Sequence, residues 1–242
     1  MRTQAEKGHL FRELHQRRGI LILPNPWDAG TAKLLASVGF EALATTSLGM
    51  CNALGLVDEE GSVSRAELLE NCRVIAEATD LPVNADLENG YADDPQEAAT
   101  ILRDAAEMGV VGGSIEDWSG ERIYDFSSRG RARGCRRRDG SQLAGAVHVC
   151  CACREFDPRS ARSGRYHQTP ASLREGRRRR ALRAWAPRSG RPCAQSVQAV
   201  GKPLNVVMSA ADPTLIAAEM EAVSVKRLSV VGALSRLALA RS

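Results

Sequence analysis

Apolar strands alternate with amphipathic helices through most of this chain, and this alternation limits the folds open to it. Four strand–helix units are visible in the first half, and the pattern resumes after residue 203. Alternating strands and helices joined by short loops are typical of parallel α/β folds. Seven visible or inferable units in 242 residues fit a (β/α)8 barrel of the TIM type, usually about 250 residues long. A doubly wound open sheet is the second choice, because no glycine-rich phosphate loop follows an early strand.

Capping signals support the boundaries of these units. Asp28 can cap one helix, and Ser64 with Glu67 forms a capping box at the start of another. The predicted strands cover residues 20–24, 42–47, 82–87, 111–116, 203–208 and 227–232, and the predicted helices cover 28–38, 64–78, 95–108 and 212–222.

Two of the predicted strands end in pairs of carboxylates. The third strand runs out through Asp86 and Glu88, and the fourth ends at Glu116 and Asp117. The i, i+2 spacing would place Asp86 and Glu88 on one side of a strand, where they repel each other unless a cation or a proton lies between them. Mg2+ prefers such oxygen ligands and keeps several waters. These acids could instead be N-caps of the next helices, but two consecutive acidic strand ends favour a metal site.

Four short motifs together resemble the isocitrate lyase/phosphoenolpyruvate mutase superfamily. They are Thr-Thr-Ser-Leu-Gly at 45–49, Leu-Gly-Leu-Val-Asp at 54–58, Asn-Ala-Asp-Leu-Glu-Asn-Gly-Tyr at 84–91 and Ser-Ile-Glu-Asp at 114–117. The resemblance covers roughly residues 10–126 and 197–240. It implies a barrel that binds Mg2+, with Mn2+ as the alternative ion, and a small α-keto or α-hydroxy carboxylate or a phosphonate. Members make or break C–C or P–C bonds through an enolate-like intermediate, as lyases or isomerases.

The same resemblance implies roles for individual residues. The metal would be held directly or through water, and the substrate carboxylate would be bound at the end of the second strand. From the residues alone, that strand end could equally be an ordinary polar one, and Tyr91 receives no role. The implied sets are catalytic Asp58 and Glu116, substrate-binding Thr46, Ser47 and Leu48, and metal-binding Asp86, Glu88 and Glu116.

One departure from the family pattern narrows the expected activity. Isocitrate and methylisocitrate lyases of this superfamily carry a lysine-lysine-cysteine-glycine loop after the fourth strand, in which the cysteine is the general acid/base. Residues 116–121 here read Glu-Asp-Trp-Ser-Gly-Glu, without lysine or cysteine. Isocitrate cleavage by that mechanism is therefore not expected, whereas another lyase, mutase or decarboxylase reaction stays open.

The middle of the chain has an unusual composition. Residues 129–191 contain 18 Arg, no Lys and four acids, so they carry +14 of a chain whose total is +4. We back-translated residues 143–156 and 164–188 with GC-rich codons and read the codons one base later. The resulting amino-acid sequences resemble three consecutive elements of the superfamily: the fifth strand with its Arg-Ala-Glu-Asn ending, the fifth helix and the sixth strand. We interpret 127–196 as a frameshifted and disordered part of a single barrel domain spanning 1–242, with the fifth and sixth units disrupted. An inactive family remnant is the alternative.

Two functional explanations compete for the arginine-rich stretch. Arg136–Arg138 and Arg177–Arg180 could bind nucleic acid through its phosphates, but only Tyr166 and Trp185 are available for stacking, so this partner is not favoured. A zinc site is the other explanation, although adjacent cysteines are poor chelate spacing. Its ligands would be drawn from His148, Cys150, Cys151, Cys153 and His167.

Further expectations concern location and assembly. No apolar run reaches the roughly 18 residues of a membrane span, and residues 1–18 lack the apolar core of a signal peptide. We therefore expect a cytoplasmic protein with reduced thiols and no membrane partner. The chain ends within the helix expected after the eighth strand. The resemblance implies a homo-oligomer with a further exchanged C-terminal helix, so we expect assembly to be impaired.

Overall fold

Eight parallel strands form one sheet in the computed structural model, which describes residues 1–59, 61–116, 119, 148–152, 182–185, 204–208 and 217–240. The strands are β1 (Leu21–Leu23), β2 (Leu43–Ala44), β3 (Val83–Asp86), β4 (Gly112–Glu116), β5 (His148–Ala152), β6 (Leu182–Trp185), β7 (Asn205–Val207) and β8 (Arg227–Ser229). Their order is β1-β8-β7-β6-β5-β4-β3-β2. The Ala44 nitrogen donates to the Pro24 carbonyl oxygen at 3.0 Å. This hydrogen bond connects β2 to the residue after β1, so the two edge strands of the sheet meet and close the barrel. The predicted TIM-type barrel is confirmed.

Helices follow most of the described strands, and several begin at the predicted caps. The Asp28 and Ser64 side chains accept backbone hydrogen bonds from Thr31 and Glu67, as capping boxes do. Asp94 accepts from two amides of the helix that it caps. The described helices are α1 (Gln4–Gln16), α2 (Ala29–Ser37), α3 (Ser47–Leu54), α4 (Arg65–Glu77), α5 (Pro95–Glu107), α6 (Ala217–Ala222) and α7 (Ala233–Leu239).

Helix α1, which the sequence did not predict, covers the amino-terminal end of the barrel. Phe11 and Leu14 are buried there against the start of the sheet. Lys7 Nζ donates to the carbonyl oxygens of Ala76 and Thr79, at 3.0 and 2.7 Å, where α4 ends. This buried lysine therefore satisfies carbonyl groups that the end of α4 leaves without helical partners. Strands β3 and β4 terminate at the opposite end, which is where active sites form in this fold.

Strand β3 shows how the barrel separates apolar from polar side chains. Val83, Ala85 and Leu87 belong to the apolar layer between the sheet and helices α4 and α5. The alternate residues, Asn84 and Asp86, are 2% and 3% exposed. Because successive strand side chains point to opposite faces, these two polar residues face the barrel interior. The interior of the barrel therefore becomes polar and acidic as β3 approaches its carboxyl end.

The second strand is shorter than predicted. The sequence favoured a strand over 42–47, but β2 contains only Leu43 and Ala44. Thr46 leaves the strand to cap α3, and its hydroxyl oxygen accepts a hydrogen bond from the Gly49 nitrogen at 3.2 Å. The short helix α3 therefore begins at the rim of the barrel, within the motif assigned to substrate binding.

Two strands lie within the arginine-rich stretch. Strand β5 pairs with β4 over five residues, and β6 pairs with both β5 and β7. For these nine residues the structure differs from the expectation that 127–196 lacks regular elements, because they complete the sheet between β4 and β7. The rest of that range lies outside the described residues.

Candidate active site

The carboxyl ends of β3 and β4 lie side by side and bring acidic residues together. Asp86 is the last residue of β3 and is paired in register with Ser114, two residues before Glu116. The Glu116 nitrogen donates to the Glu88 carbonyl oxygen at 2.6 Å, so these residues are direct neighbours. Glu116 is half-buried at the rim, whereas Asp86 is deeply buried below it. Three carboxylates assigned from the sequence thus belong to two adjacent strand ends.

The turn after β3 corrects one step of the sequence argument. Glu88 does not continue the strand beyond Asp86, because its φ of 45° is left-handed. Gly90 and Tyr91 also have positive φ values, of 85° and 57°. A side chain at Gly90 would place Cβ 2.8 Å from the Ala98 Cβ, so glycine is needed for the close approach of α5. A compact turn, and not strand alternation, therefore determines where Glu88 lies.

The start of α3 offers hydrogen-bond donors beside these acids. Thr46 is 1% exposed, and Ser47 and Leu48, both half-buried, are the first residues of the helix. First-turn amides of a helix have no partner within the helix, and the helix dipole favours an anion there. The Thr46 hydroxyl accepts from the Gly49 amide and still has its own proton to donate. These groups can donate hydrogen bonds to a carboxylate, and the substrate-binding role of Thr46, Ser47 and Leu48 stays a prediction. Thr46 also caps the helix.

Asn25 is a buried polar residue after β1 that the sequence patterns did not single out. Its side chain is fully buried, and its Oδ1 accepts from the Val230 and Val231 nitrogens, at 3.0 and 2.8 Å. Its Nδ2 donates to the Thr45 carbonyl oxygen at 3.0 Å. One amide group therefore joins the segments that follow β1, β2 and β8, and its partner Thr45 directly precedes Thr46 in the chain. A lone polar residue immediately after an apolar strand was the only signal for it.

Asp58 lies on an exposed segment that follows α3. Burial raises the pKa of the Cys51 thiol to about 11, and the charges of Asp58 and Glu88 raise it further in the same direction. Burial likewise raises the pKa of the Tyr91 hydroxyl, with added contributions from Glu88 and Asp86. Cys51 thus stays a protonated thiol at neutral pH, which does not suit a nucleophile. The charge of Glu88 therefore acts on both Cys51 and Tyr91, whereas Asp58 acts on Cys51 and Asp86 on Tyr91.

The carboxylates of Asp86, Glu88 and Glu116 fit a hard divalent cation only if water or substrate oxygens complete its coordination shell. Among the side chains that the structure describes, no three His, Cys, Asp or Glu groups are close enough to form a metal cluster. Mg2+ is commonly held by one or two carboxylates, with waters and substrate oxygens in the remaining positions. A buried Asp86 with Glu88 and Glu116 nearby meets that need. The zinc ligands considered above and Asp117 fall outside the described side chains.

Comparison with known proteins identifies the family. The sequence model for phosphoenolpyruvate phosphomutase matches residues 11–134, about half of the chain. The chain belongs to this family. An uncharacterized protein of Mycobacterium tuberculosis is 33% identical over 117 residues, which are 48% of this chain and 43% of that protein. The 2-methylisocitrate lyase of Halalkalibacterium halodurans is 30% identical over 119 residues, covering 48% and 38%. The chain thus matches less than half the length of these curated relatives.

A solved structure extends the likeness beyond the matched half. A protein of Burkholderia cenocepacia J2315 described as a lyase/mutase superimposes with a TM-score of 0.89 and 39% identity, covering 98% of this chain and 85% of that one. The predicted membership of the isocitrate lyase/phosphoenolpyruvate mutase superfamily is therefore confirmed. Homologues of this chain include lyases and mutases. Separately, no helix in the described part of this phosphomutase-family chain is long and apolar enough to cross a bilayer.

Proposed function

We propose that this phosphomutase-family chain has the site of a Mg2+-dependent enzyme that acts on a C–C or P–C bond of a small α-keto or α-hydroxy carboxylate. The observation that carries the proposal is the position of Asp86, 3% exposed at the carboxyl end of β3 and flanked by Glu88 and Glu116. Carboxyl ends of barrel strands are where active sites form in this fold. The matched relatives include a lyase, which supports this reaction class.

Asp86, Glu88 and Glu116 would hold the metal, directly or through water. When bound, Mg2+ or Mn2+ supplies positive charge that stabilises the oxygen of an enolate-like intermediate. The chain itself supplies the orientation of the substrate. The Thr46 hydroxyl and the first amides of α3 would bind one carboxylate, which fixes the bond to be broken relative to the acidic residues.

Asp58 and Glu116 are the catalytic carboxylates in this proposal. Glu116 is half-buried beside Glu88, and Asp58 is exposed on the segment after α3. Either could take up or return a proton at the substrate carbon next to the carboxylate. Cleavage of isocitrate by a loop cysteine is not part of the proposal, because residues 116–121 contain no cysteine and Cys51 remains a thiol.

The test compares two carboxylate-to-amide substitutions, one at the end of β3 and one at the start of α5. Asp86→Asn should abolish Mg2+ binding in a calorimetric titration, and any Mg2+-dependent turnover of oxaloacetate, phosphonopyruvate or 2-methylisocitrate. Asp94→Asn is the matched control, because asparagine caps a helix as well as aspartate does and Asp94 is exposed. Equal Mg2+ affinity in wild type and Asp86→Asn would show that the metal site is placed wrongly. Unimpaired turnover in the presence of a chelator would refute the metal-dependent reaction.

A further inference from the structure

We propose that Tyr91 is a positioning residue whose hydroxyl group fixes the Asp58 segment, residues 55–59 and 61–63, relative to the carboxylates after β3. The inference rests on the proposed function, in which Asp58 is one of the catalytic carboxylates. Tyr91 Oη donates to the Val63 carbonyl oxygen at 3.1 Å. Tyr91 lies three residues after Glu88, and Val63 lies five residues after Asp58. One hydrogen bond therefore connects the two loops that carry the acidic residues of the site.

The Asp58 segment has little apolar burial of its own to hold it in place. Leu56 and Val57 are 43% and 70% exposed, whereas Val63 is 1% exposed and packs in the apolar layer. Gly55 and Gly61 have φ values of 70° and 78°, and nothing lies within 4 Å of where their side chains would be. The segment therefore enters the core at Val63, which is the residue whose carbonyl group Tyr91 binds.

Tyr91 is itself rigidly placed. Its nitrogen donates to Asn89 Oδ1 at 2.8 Å, within the compact turn that also contains Glu88 and Gly90. Its ring packs against the apolar layer. Burial and the nearby acidic charges both raise the pKa of its hydroxyl, so the group keeps the proton that it donates to Val63. A rigid donor bound to a buried acceptor suits a tether between loops.

Cys51 can report whether the tether holds Asp58 in place. The thiol pKa of about 11 is due first to burial and then to the charges of Asp58 and Glu88. If Asp58 moves away, the pKa of Cys51 should fall toward its ordinary value. Asp58→Asn removes the same charge, so it gives the expected direction of the effect.

The experiment uses Tyr91→Phe in the full chain, because phenylalanine keeps the ring and removes only the hydroxyl. Amide exchange at residues 57–59 and 61–63 should accelerate about tenfold, since the buried Val63 carbonyl loses its partner. The pH profile of Cys51 alkylation, followed by peptide mass spectrometry, should shift to lower pH, as in Asp58→Asn. Thr79→Val is the matched control: it also removes one buried hydroxyl group, which accepts a hydrogen bond from the Leu81 nitrogen at the opposite end of β3.

Each outcome bears on one proposal. Unchanged exchange and an unchanged Cys51 profile in Tyr91→Phe would overturn the tether, as would equal changes in Thr79→Val. In a chain with the frame of residues 127–196 restored, the tether predicts a fall in kcat of roughly 10- to 100-fold with KM changed less than about threefold, because misplacement of a reacting group by about 1 Å has such effects. Failure of wild type to bind Mg2+ would overturn the proposed function, while the exchange and alkylation results would still decide whether Tyr91 fixes the segment.

Discussion

Asn25 Oδ1 lies 2.8 Å from the Val231 nitrogen and accepts its hydrogen bond, although the two residues are 206 positions apart. Val231 has a φ of 48°, which is strained for a β-branched residue. Such conformations persist where surrounding bonds hold them. The amide of Asn25 therefore keeps the connection after β8 in place and, through the Thr45 carbonyl oxygen, fixes it to the segment before α3.

Asn25→Asp should destabilise the protein by about 3 kcal/mol at pH 8, because a buried carboxylate would face the Thr45 carbonyl oxygen without a donor. A protonated carboxyl can donate there as the amide does. Burial should thus raise the folded-state pKa of the new group above its unfolded value, so the lost stability should return as the pH falls. Urea unfolding of the variant and wild type at pH 5 and pH 8 measures the difference.

The control for this experiment is Asn71→Asp. Asn71 is half-buried on α4, and its Nδ2 donates to the Trp27 carbonyl oxygen at 2.8 Å. Its replacement removes a comparable donor at a more solvated position, so the loss should be smaller and nearly independent of pH. A pH dependence as large as that of Asn25→Asp would mean that burial at Asn25 is not the cause.

Lys7→Met should cost about 1–3 kcal/mol at pH 7, because the Ala76 and Thr79 carbonyl oxygens lose their donor. Burial lowers the pKa of Lys7 below its ordinary 10.5. Between the lowered value and 10.5, the folded protein binds fewer protons than the unfolded chain, so wild-type stability should rise with pH relative to the variant. Denaturant unfolding from pH 7 to pH 10 measures this trend.

Lys33→Met is the matched control for Lys7. Lys33 is exposed on α2, so its removal should change the free energy of unfolding by less than about 0.5 kcal/mol at every pH. A constant difference between Lys7→Met and wild type across the pH range would contradict the buried-cation explanation.

Gly90→Ala and Gly39→Ala separate backbone strain from steric overlap. Both glycines have strongly positive φ values, 85° and 94°. A Cβ at Gly90 would lie 2.8 Å from the Ala98 Cβ, whereas nothing lies within 4 Å of that position at Gly39. Gly39→Ala should cost about 1 kcal/mol from the backbone alone. Gly90→Ala should cost about 1–3 kcal/mol more and weaken Mg2+ binding, because overpacking displaces the turn that carries Glu88.

Thermal unfolding and calorimetric Mg2+ titration of both variants give these quantities. Similar stabilities for the two would show that α5 moves easily away from the turn. Unchanged Mg2+ affinity in a destabilised Gly90→Ala protein would separate the turn from the metal site.

Local patterns were enough to predict the elements that carry strong periodicity and caps. Helices α4 and α5 begin and end within a residue or two of the prediction, and β3 and β4 lie where apolar runs meet acids. Helix α1 was missed because its buried face includes Lys7 and Gly8, which do not form an apolar stripe. Helix α3 was missed because a glycine such as Gly49 is typical of a turn. The structure shows another reason for this glycine: a Cβ there would lie 2.6 Å from the Thr46 Cγ2.

The sequence predicted which strand ends carry acidic residues, but not the backbone conformation of the turn after β3. Asp86 lies at the end of β3 as expected, but Glu88 depends on left-handed backbone conformations that no period-two pattern encodes. The roles of Asn25 and Tyr91 depend on partners distant along the chain, Val231 and Val63, and a single sequence gives no signal for such pairs.

The frameshift interpretation of 127–196 makes the last prediction. The resemblance implies that the superfamily's fifth strand ends in an arginine that pairs with the substrate's carboxylate or phosphonate, for which a planar guanidinium is suited. Residues 151–155 of this chain read Cys-Ala-Cys-Arg-Glu, which the interpretation places in the wrong frame. The chain as written should therefore show little or no turnover of oxaloacetate, phosphonopyruvate or 2-methylisocitrate.

A chain with the frame restored between codons 127 and 196 should unfold more cooperatively and gain Mg2+-dependent turnover of one small dicarboxylate or phosphonate. Asp86→Asn in the restored chain should remove that turnover, which ties the gain to the site described here. The competing explanation is that the arginine-rich stretch binds nucleic acid. Salt-dependent elution of the unrestored chain from DNA tests it, because binding through phosphates weakens steeply with salt. Robust turnover by the unrestored chain would refute the frameshift, and so would the same melting behaviour before and after restoration. Either result requires that the fifth and sixth strand–helix units are already intact in the chain as written.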